Sequence, residues 1–324
     1  MSVSLVIPVR DEAGNISELL SSIRAQTRPP DEIVFVDGGS RDDTVRQLRT
    51  AAKQDRRIRV IESDNATPGR GRNLGICAAS FDSIALTDAG IRLDPRWLEA
   101  LLAAWDQDRE VDIVFGAYAP ITETFFESCA ATAYVEPPHL TPSGLMRGPS
   151  IASCLLKPSV WKAAGGFPDL RATEDLIFIE RIRQQKLHIA WAPEALVWWR
   201  LRPSLKETYC RFELYSRHNV WAGRERYWHY GVARQYIGAG VLLGLAMIQS
   251  PWWAAFLGCA AAARVARAIW RHRQGHNLLW LLNPARFALV GVILGAIDAA
   301  TLVGWARAKS QPNPVLDLSG SSKQ

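Results

Sequence analysis

The stretch "RPPDEIVFVDGGSRDDTVRQLRTAAKQ", residues 28 to 54, reads as a strand, a tight turn and a helix in immediate succession. Its apolar run, Glu32 to Val36, is short, rich in β-branched residues and bounded by turn formers, the pattern of a buried strand. The run closes on Asp37 and Gly38-Gly39, and a helical segment follows at once. The same alternation continues on both sides. Before it, "VSLVIPV" (3 to 9) is another buried strand. "NISELLSSIRAQ" (15 to 26) then sets Ile16, Leu19, Leu20 and Ile23 at helical spacing, with Asn15 as the candidate N-cap. After it come "RIRVIESD" (57 to 64), a third strand, and "GRGRNLGICAAS" (69 to 80), a loop leading into a helix. "SIALTDAG" (83 to 90) is a fourth strand. Strands alternating with helices imply right-handed βαβ units and a mostly parallel sheet. In such a sheet the ligand crevice lies beyond the carboxyl ends of the strands, where Asp37 and Asp88 both fall.

Further on, "DPRWLEALLAAWDQD" (94 to 108) reads as a helix capped by Asp94, and "VDIVFGAYAP" (111 to 120) as one more strand. Residues 120 to 200 are less regular. They hold a Pro/Gly-rich loop, "EPPHLTPSGLMRGPS", then "VWKAAGGFPDLRATEDLIFIERIRQQ" and the strand-like "HIAWAPEALVWWR". No internal repeat or low-complexity segment stands out.

The chain has 324 residues and a formal charge of +6, enough for one large domain or two ordinary ones. Charge is spread through the first 230 positions, whereas residues 236 to 306 are dominated by Ala, Leu, Gly, Val and Trp. A domain at 1–228 is therefore expected, followed by membrane helices at 229–308 and a flexible tail at 309–324. One straight helix over 236 to 263 would run about 42 Å, longer than a hydrocarbon core of about 30 Å. A hairpin over 232–270, turning at Gln249-Ser250-Pro251, fits better if Arg234, Arg264 and Arg267 snorkel to the interface. Residues 285–306 form a further span carrying Asp298, an acid that at such depth faces other helices or a polar cavity. The alternative for this tail is a buried helical subdomain.

Basic residues gather near the tail (Arg224, Arg226, Arg234, Arg264, Arg267, Arg271, Arg273), which suits an anionic lipid surface. No nucleic-acid recognition motif accompanies them, so nucleic acid is not an expected partner. Cys77, Cys129, Cys154, Cys210 and Cys259 lack zinc-like or CxxC spacing and read as reduced core residues. The N-terminus has too short an apolar run for a signal peptide. The expectation is a multi-pass protein of the cell inner membrane with its first domain in the cytoplasm.

Several residue groups carry chemistry. Asp37 is placed to accept from the N–H of a nucleotide base, or else serves as a turn residue or helix cap. "GRGRNLG" has Leu74 where a dinucleotide fingerprint needs its last glycine, and it follows the third strand. A nicotinamide-cofactor reading therefore fails. Its glycines instead let backbone approach a ligand while Arg70, Arg72 and Asn73 offer donors to nucleotide or phosphate; solvated arginines are the plainer reading. "LTDAGIRLDP" (86 to 95) places Asp88 at a strand end with Gly90 two residues on. "TEDLIFIERI" opens a helix on Glu174-Asp175, with Leu176, Phe178, Ile179 and Ile182 facing inward. Both acids sit where a helix N-terminus stabilises anions, so capping alone could account for them.

Taken in order, "VIPVRDEAGNI", "EIVFVDGGSRDDT", "GRGRNLGI", "LTDAGIRLDP" and "ATEDLIFIERI" resemble the family 2 glycosyltransferases, over about residues 3 to 225. The Thr-Asp-Ala-Gly form with a membrane tail looks like a bacterial membrane-attached subgroup. The resemblance implies a GT-A fold and transfer with inversion from a UDP- or GDP-linked sugar. The membrane tail suggests a lipid-linked or membrane-proximal acceptor. The resemblance also implies a nucleotide slot lined by Pro8, Arg10, Glu12 and Asp37, with Arg72 and Asn73 beside the nucleotide. By the same resemblance Asp88 contacts the sugar nucleotide or a metal, and Asp175 is the general base supported by Glu174. Mg²⁺ or Mn²⁺ would want hard oxygen ligands, yet Gly90 replaces the usual second acid of an Asp-x-Asp pair. Arg92 or Arg72 could then do part of the metal's work at the diphosphate, with Arg217 and Asn219 as further phosphate contacts. The Gln-x-x-Arg-Trp motif of processive relatives is absent. Two rival readings remain: a nucleotide-sugar-binding subunit or scaffold without catalysis, and a nucleotidyltransferase. The latter would want a glycine-rich, lysine-containing loop after the first strand, where "PVRDEAGN" stands.

Overall fold

A computed structural model of the protein describes residues 1–311 apart from 109, 142 and 143; residues 312–324, most of the tail expected to be flexible, lie outside the described residues. The chain forms two compact units, one of residues 1–121 and 138–200, the other of residues 122–137 and 201 onward.

The first unit is built on a sheet. In chain order its strands are β1 (Ser4–Val9), β2 (Glu32–Asp37), β3 (Ile58–Glu62), β4 (Ile84–Leu86) and β5 (Ile91–Leu93). They continue with β6 (Ile113–Ile121), β7 (His139–Thr141), β8 (Gly144–Met146), β9 (Cys154–Leu156) and β10 (Ile189–Arg200). Eight of them pair in the order β3-β2-β1-β4-β9-β6-β10-β5, while β7 and β8 form a separate hairpin. The β3-β2-β1-β4 half and the β6–β10 pair are parallel; β9 in the middle and β5 at the edge run antiparallel. The expected mostly parallel sheet is present. The antiparallel β9 and β5, however, give no signal in a residue-by-residue reading, because three-residue strands are defined by their partners.

Both faces of this sheet are covered, which is why its strands read as unbroken apolar runs. Leu5, Ile7, Ile33 and Phe35 point to one face, with Leu19, Leu48 and Trp97. Val6, Val34 and Val36 alternate to the other, with Phe115 and Phe178. The covering helices are α1 (Ile16–Arg24), α2 (Thr44–Gln54), α3 (Pro68–Ala78) and α4 (Trp97–Asp106). Next in the chain is α5 (Phe125–Tyr134), part of the second unit, followed by α6 (Pro158–Ala163) and α7 (Glu174–Arg183) of the first.

Some local expectations are corrected. Asn15 stands at the N-cap of α1 but its side chain caps nothing, donating instead to Glu12 Oε2 at 2.5 Å. Asp94 accepts from the Arg96 amide in a turn of its own, and α4 starts later, at Trp97. The fourth strand ends at Leu86, short of the expected Gly90, because only residues 84 to 86 pair with β1. Leu176 is exposed while Phe178, Ile179 and Ile182 are buried, since it falls on the opposite side of the helical wheel. Cys129 and Cys154 are buried, but Cys77, Cys210 and Cys259 are exposed; all five are free thiols.

The second unit adds α8 (Leu205–Trp221), α9 (His229–Ile248), α10 (Trp252–Arg271), α11 (Leu278–Leu281) and α12 (Pro284–Ser310). The compact unit therefore begins well before residue 228, because α8 packs on α12. Gly304 makes that approach possible: a Cβ there would lie 2.6 Å from the Glu213 carbonyl oxygen and 2.6 Å from Ser216 Cβ. Ser216 Oγ donates to the Thr301 carbonyl at 2.7 Å and takes the Nε2 proton of buried His229 at 2.8 Å. By length and composition α9 and α12 could each cross a membrane. Between α9 and α10 the chain turns at Gln249-Ser250-Pro251. Arg264 does not snorkel. It pairs with buried Asp298 through both terminal nitrogens, the second at 2.9 Å, and Tyr236 adds its hydroxyl to the same carboxylate at 3.2 Å.

Candidate active site

The carboxyl ends of the parallel strands gather the acids, and α3 supplies the base that binds them. Thr67 caps α3, accepting from the Arg70 amide at 3.1 Å, and Pro68 fills its first turn. "GRGRN" is therefore helix rather than the expected loop. Its glycines serve close packing: a Cβ on Gly75 would sit 2.3 Å from Val6 Cγ1, and one on Gly69 1.9 Å from the Pro168 carbonyl oxygen. Pressed this tightly onto β1, α3 directs Arg72 inward.

The Arg72 side chain is 3% exposed and forks between two carboxylates. Nη1 donates to Glu174 Oε1 at 2.7 Å and Nη2 to Asp88 Oδ1 at 2.6 Å. The Phe167 ring lies 5.4 Å from its guanidinium carbon and stacks in turn on Phe178. Burial works against the arginine's charge, but Asp88 and Glu174 outweigh it and hold the group protonated. Burial also raises the Glu174 carboxyl, to about 7, with Arg72 opposing and Asp175 adding to the rise. The Asp175 carboxyl is likewise raised by burial, against the pull of Arg72 and with a push from Asp88. Three carboxylates thus share one arginine.

Backbone geometry sharpens the picture at this acid pair. Thr173, just before α7, holds φ +70°. A β-branched residue in the left-handed region is strained by about 1–3 kcal/mol, a feature that concentrates at functional sites. Across from it, Gly165 and Gly166 take φ +71° and +70°, turning the chain so that Phe167 reaches Arg72. Phe167 and Thr173 were missed in the sequence; "GGFP" offered a turn signal but no hint that its phenylalanine meets an arginine ninety-odd positions earlier.

Other expected site residues are held by the protein itself. Asp37, 2% exposed, accepts from the Gly39 and Ser40 amides at 2.9 and 3.0 Å and from the Ser40 hydroxyl at 2.5 Å. Its carboxylate closes the turn, with one acceptor site on Oδ1 left over. Asn73 braces the 165–167 turn, accepting from Trp161 Nε1 and the Phe167 amide and donating to the Phe167 carbonyl. Pro8, next to last in β1, lies under Gly71, whose added Cβ would lie 3.1 Å from its own. Arg10 lies 3.7 Å from Asp11, and Glu12 is fixed by its amide on Thr44 Oγ1 at 2.8 Å. Arg92 faces Glu18 at 3.7 Å and the Trp198 ring at 5.6 Å, so the sheet edge claims it. Arg217 belongs to the helical unit, ion-paired with Glu213 at 2.9 Å, and Asn219 donates to the Tyr215 carbonyl. At the strand ends, Arg10 Nε, Arg72 Nε and Thr87 Oγ1 are buried with no hydrogen-bond partner, leaving polar capacity for a ligand.

A divalent cation fits this donor set poorly. Asp88 gives one oxygen to Arg72, Gly90 offers no ligand, and no cluster of three or more metal-binding side chains occurs among the described residues.

The half-parallel sheet, with β9 and β5 antiparallel within it, is a GT-A-like arrangement. Residues 4–142 match the family model described as glycosyl transferase family 2. EpsH of Bacillus subtilis is 35% identical over 118 residues, 36% of this chain and 34% of that protein. The pre-mycofactocin glycosyltransferase of Mycobacterium tuberculosis is 27% identical over 223 residues, 66% of this chain and 46% of that protein. The chain thus matches less than half the length of either relative. The fold is also similar to that of the mannosyltransferase PcManGT from Pyrobaculum calidifontis, solved with GDP-Man and Mn²⁺. That likeness has a TM-score of 0.60 at 21% identity, covering 93% of this chain and 86% of that one.

Proposed function

We propose that the protein is an inverting glycosyltransferase that moves a sugar from a UDP- or GDP-linked donor to a lipid-linked or membrane-proximal acceptor. Asp175 is the general base, and Glu174 its support. The fork of Arg72 between Asp88 and Glu174 carries this reading. It joins the strand end, where a sugar nucleotide would lie, to the acid pair at the start of α7. It also fixes a permanent positive charge where the leaving diphosphate develops its own negative charge. A carboxylate suits the base, because the acceptor proton need only leave as the new bond forms at an electrophilic carbon. Its raised affinity for protons strengthens it for that task. Arg10, Arg72 and Thr87 keep donors for phosphate or ribose oxygens. The length and apolar composition of α9 and α12 support attachment to a membrane, and with it an acceptor close to the bilayer.

The test is product analysis with the full chain in lipid nanodiscs, supplied with UDP-glucose, UDP-N-acetylglucosamine or GDP-mannose and a bacterial lipid extract. The reading expects release of nucleoside diphosphate from one donor class and a product of opposite anomeric configuration. Retained configuration overturns inversion. Donor binding with no release, across acceptors, favours the non-catalytic subunit reading, which Gly90 supports.

A further inference from the structure

Two neighbouring side chains of α3 grip one residue of the loop that leads into α7. Asn73 holds the backbone of Phe167: its Oδ1 accepts from the Phe167 amide at 2.9 Å, and its Nδ2 donates to the Phe167 carbonyl at 2.8 Å. The same Oδ1 accepts from Trp161 Nε1 at 2.8 Å, so the orientation of the carboxamide is fixed. Gly166 leaves room for this grip, since a Cβ there would lie 3.1 Å from Asn73 Oδ1. Arg72 meets the ring of the same phenylalanine, its guanidinium carbon 5.4 Å from the ring centre. Further along the loop, Thr67 donates to Asp169 Oδ1 at 2.5 Å. The loop is thus anchored on α3 at residues 167 and 169 before α7 opens on Glu174-Asp175.

This anchoring bears on where the Arg72 charge points. Arg72 Nε makes no hydrogen bond, so its two terminal nitrogens, on Asp88 and Glu174, supply all its polar contacts and the Phe167 ring adds the third hold. An aromatic face attracts a guanidinium most strongly where water is excluded, and the Arg72 side chain is 3% exposed. The Phe167 ring also stacks on Phe178, 4.1 Å between centroids and 17° from parallel. Phe178 lies four residues after Glu174 in α7, one turn along the same helix face. Phe167 therefore touches both the arginine and the turn of helix that carries its carboxylate partner. An aliphatic side chain fills that space but offers no face to the cation.

We propose that Phe167 is a positioning residue for sugar transfer, acting through Arg72 on the Glu174-Asp175 pair, with Asn73 holding it in place. The role rests on the proposed transfer reaction. The Arg72 charge matters most as negative charge develops on the leaving diphosphate, so a misdirected guanidinium lowers kcat more than donor affinity.

The experiment measures nucleoside diphosphate release, and donor binding by calorimetry, for the full chain in lipid nanodiscs. Wild type is compared with Phe167→Leu, which loses the aromatic face, and Phe167→Tyr, which keeps it. The expected result is a kcat lowered about tenfold or more in the leucine variant, with donor Kd within about twofold of wild type. The tyrosine variant regains most of kcat. Phe167→Met, whose unbranched side chain adapts to the same space, takes the place of the leucine variant if that one does not fold. Unchanged kcat in a folded leucine or methionine variant overturns the role of Phe167 and leaves sugar transfer standing. A folded tyrosine variant as slow as the leucine one, or equal losses of kcat and donor affinity, also overturns it, because packing alone would then explain the loss. No release by wild type from any donor removes sugar transfer itself, and this role with it.

Discussion

Arg72 and Glu174 stand 102 positions apart in the chain and 2.7 Å apart in the cleft. That contact ties α3 to α7 and orders the acid pair on which the proposed chemistry depends. Truncation of Arg72 therefore leaves Glu174 buried without its counter-charge. Breaking a buried pair from one side costs about 3–5 kcal/mol. Arg72→Met is expected to lower the melting temperature clearly and abolish turnover. Arg72→Lys, which keeps the charge but cannot fork, should fold better and recover little activity. Thermal unfolding and turnover of the two variants check this; a wild-type melting temperature in Arg72→Met contradicts it.

The acid pair predicts a displaced pH profile. Glu174 titrates at about 7 and Asp175 is also raised, both chiefly by burial. The proposed base works only when ionised, so turnover falls as pH falls through the pair's titration, far above the usual carboxylate range of about 4. The same shift affects the fold. Because the Glu174 carboxyl is raised above its ordinary value of 4.5, its contribution is fully present below that value and lost as pH rises through about 7. A rate profile from pH 5 to 9 reads the first effect. A rate that stays flat down to pH 5 would rule it out.

Position 90 offers a gain-of-function test. A Cβ on Gly90 meets nothing nearer than Glu12 Oε2, at 4.0 Å, so an aspartate fits without displacing backbone. Gly90→Asp restores the missing acid beside Asp88 and is expected to make turnover rise several-fold with added Mn²⁺, where wild type responds little. Identical metal response in the two proteins would show that the second acid is not what this site lacks.

In the helical unit Gly304 is the equivalent pressure point. Gly304→Ala forces a methyl against the α8 backbone and Ser216, an overpacking that costs about 1–3 kcal/mol. Melting in detergent should drop by several degrees. Gly295→Ala, which meets nothing within 4 Å, serves as the control and should melt as wild type does.

Much of this architecture was legible in the sequence, and the limits follow from physics. Strands β1, β2 and β10 announce themselves through apolar runs, and Glu174-Asp175 through its place at the start of a helix, because such signals are local. Asp88 was found for the same reason: it ends an apolar run at a turn. Asp37 and Asn73 were read as ligand-facing, yet their hydrogen bonds go to Ser40, Trp161 and Phe167. Composition says which atoms need partners; only the folded chain says which partners arrive. Arg92 was singled out for its position after Gly90, but the antiparallel pairing of β5 with β10 turns it toward Trp198 and Glu18. The pairing of Arg72 with Glu174, and of Arg264 with Asp298, likewise joins segments that no spacing rule connects.

The most direct measurement is turnover of the nucleotide sugar by the full chain in lipid, with and without EDTA, for wild type and Asp175→Asn. The account predicts release of UDP or GDP that survives EDTA and disappears in Asp175→Asn while donor binding persists. Turnover undiminished in Asp175→Asn, or loss with EDTA that Mg²⁺ or Mn²⁺ restores, would contradict it: the first removes the proposed base, the second the metal-sparing role of Arg72.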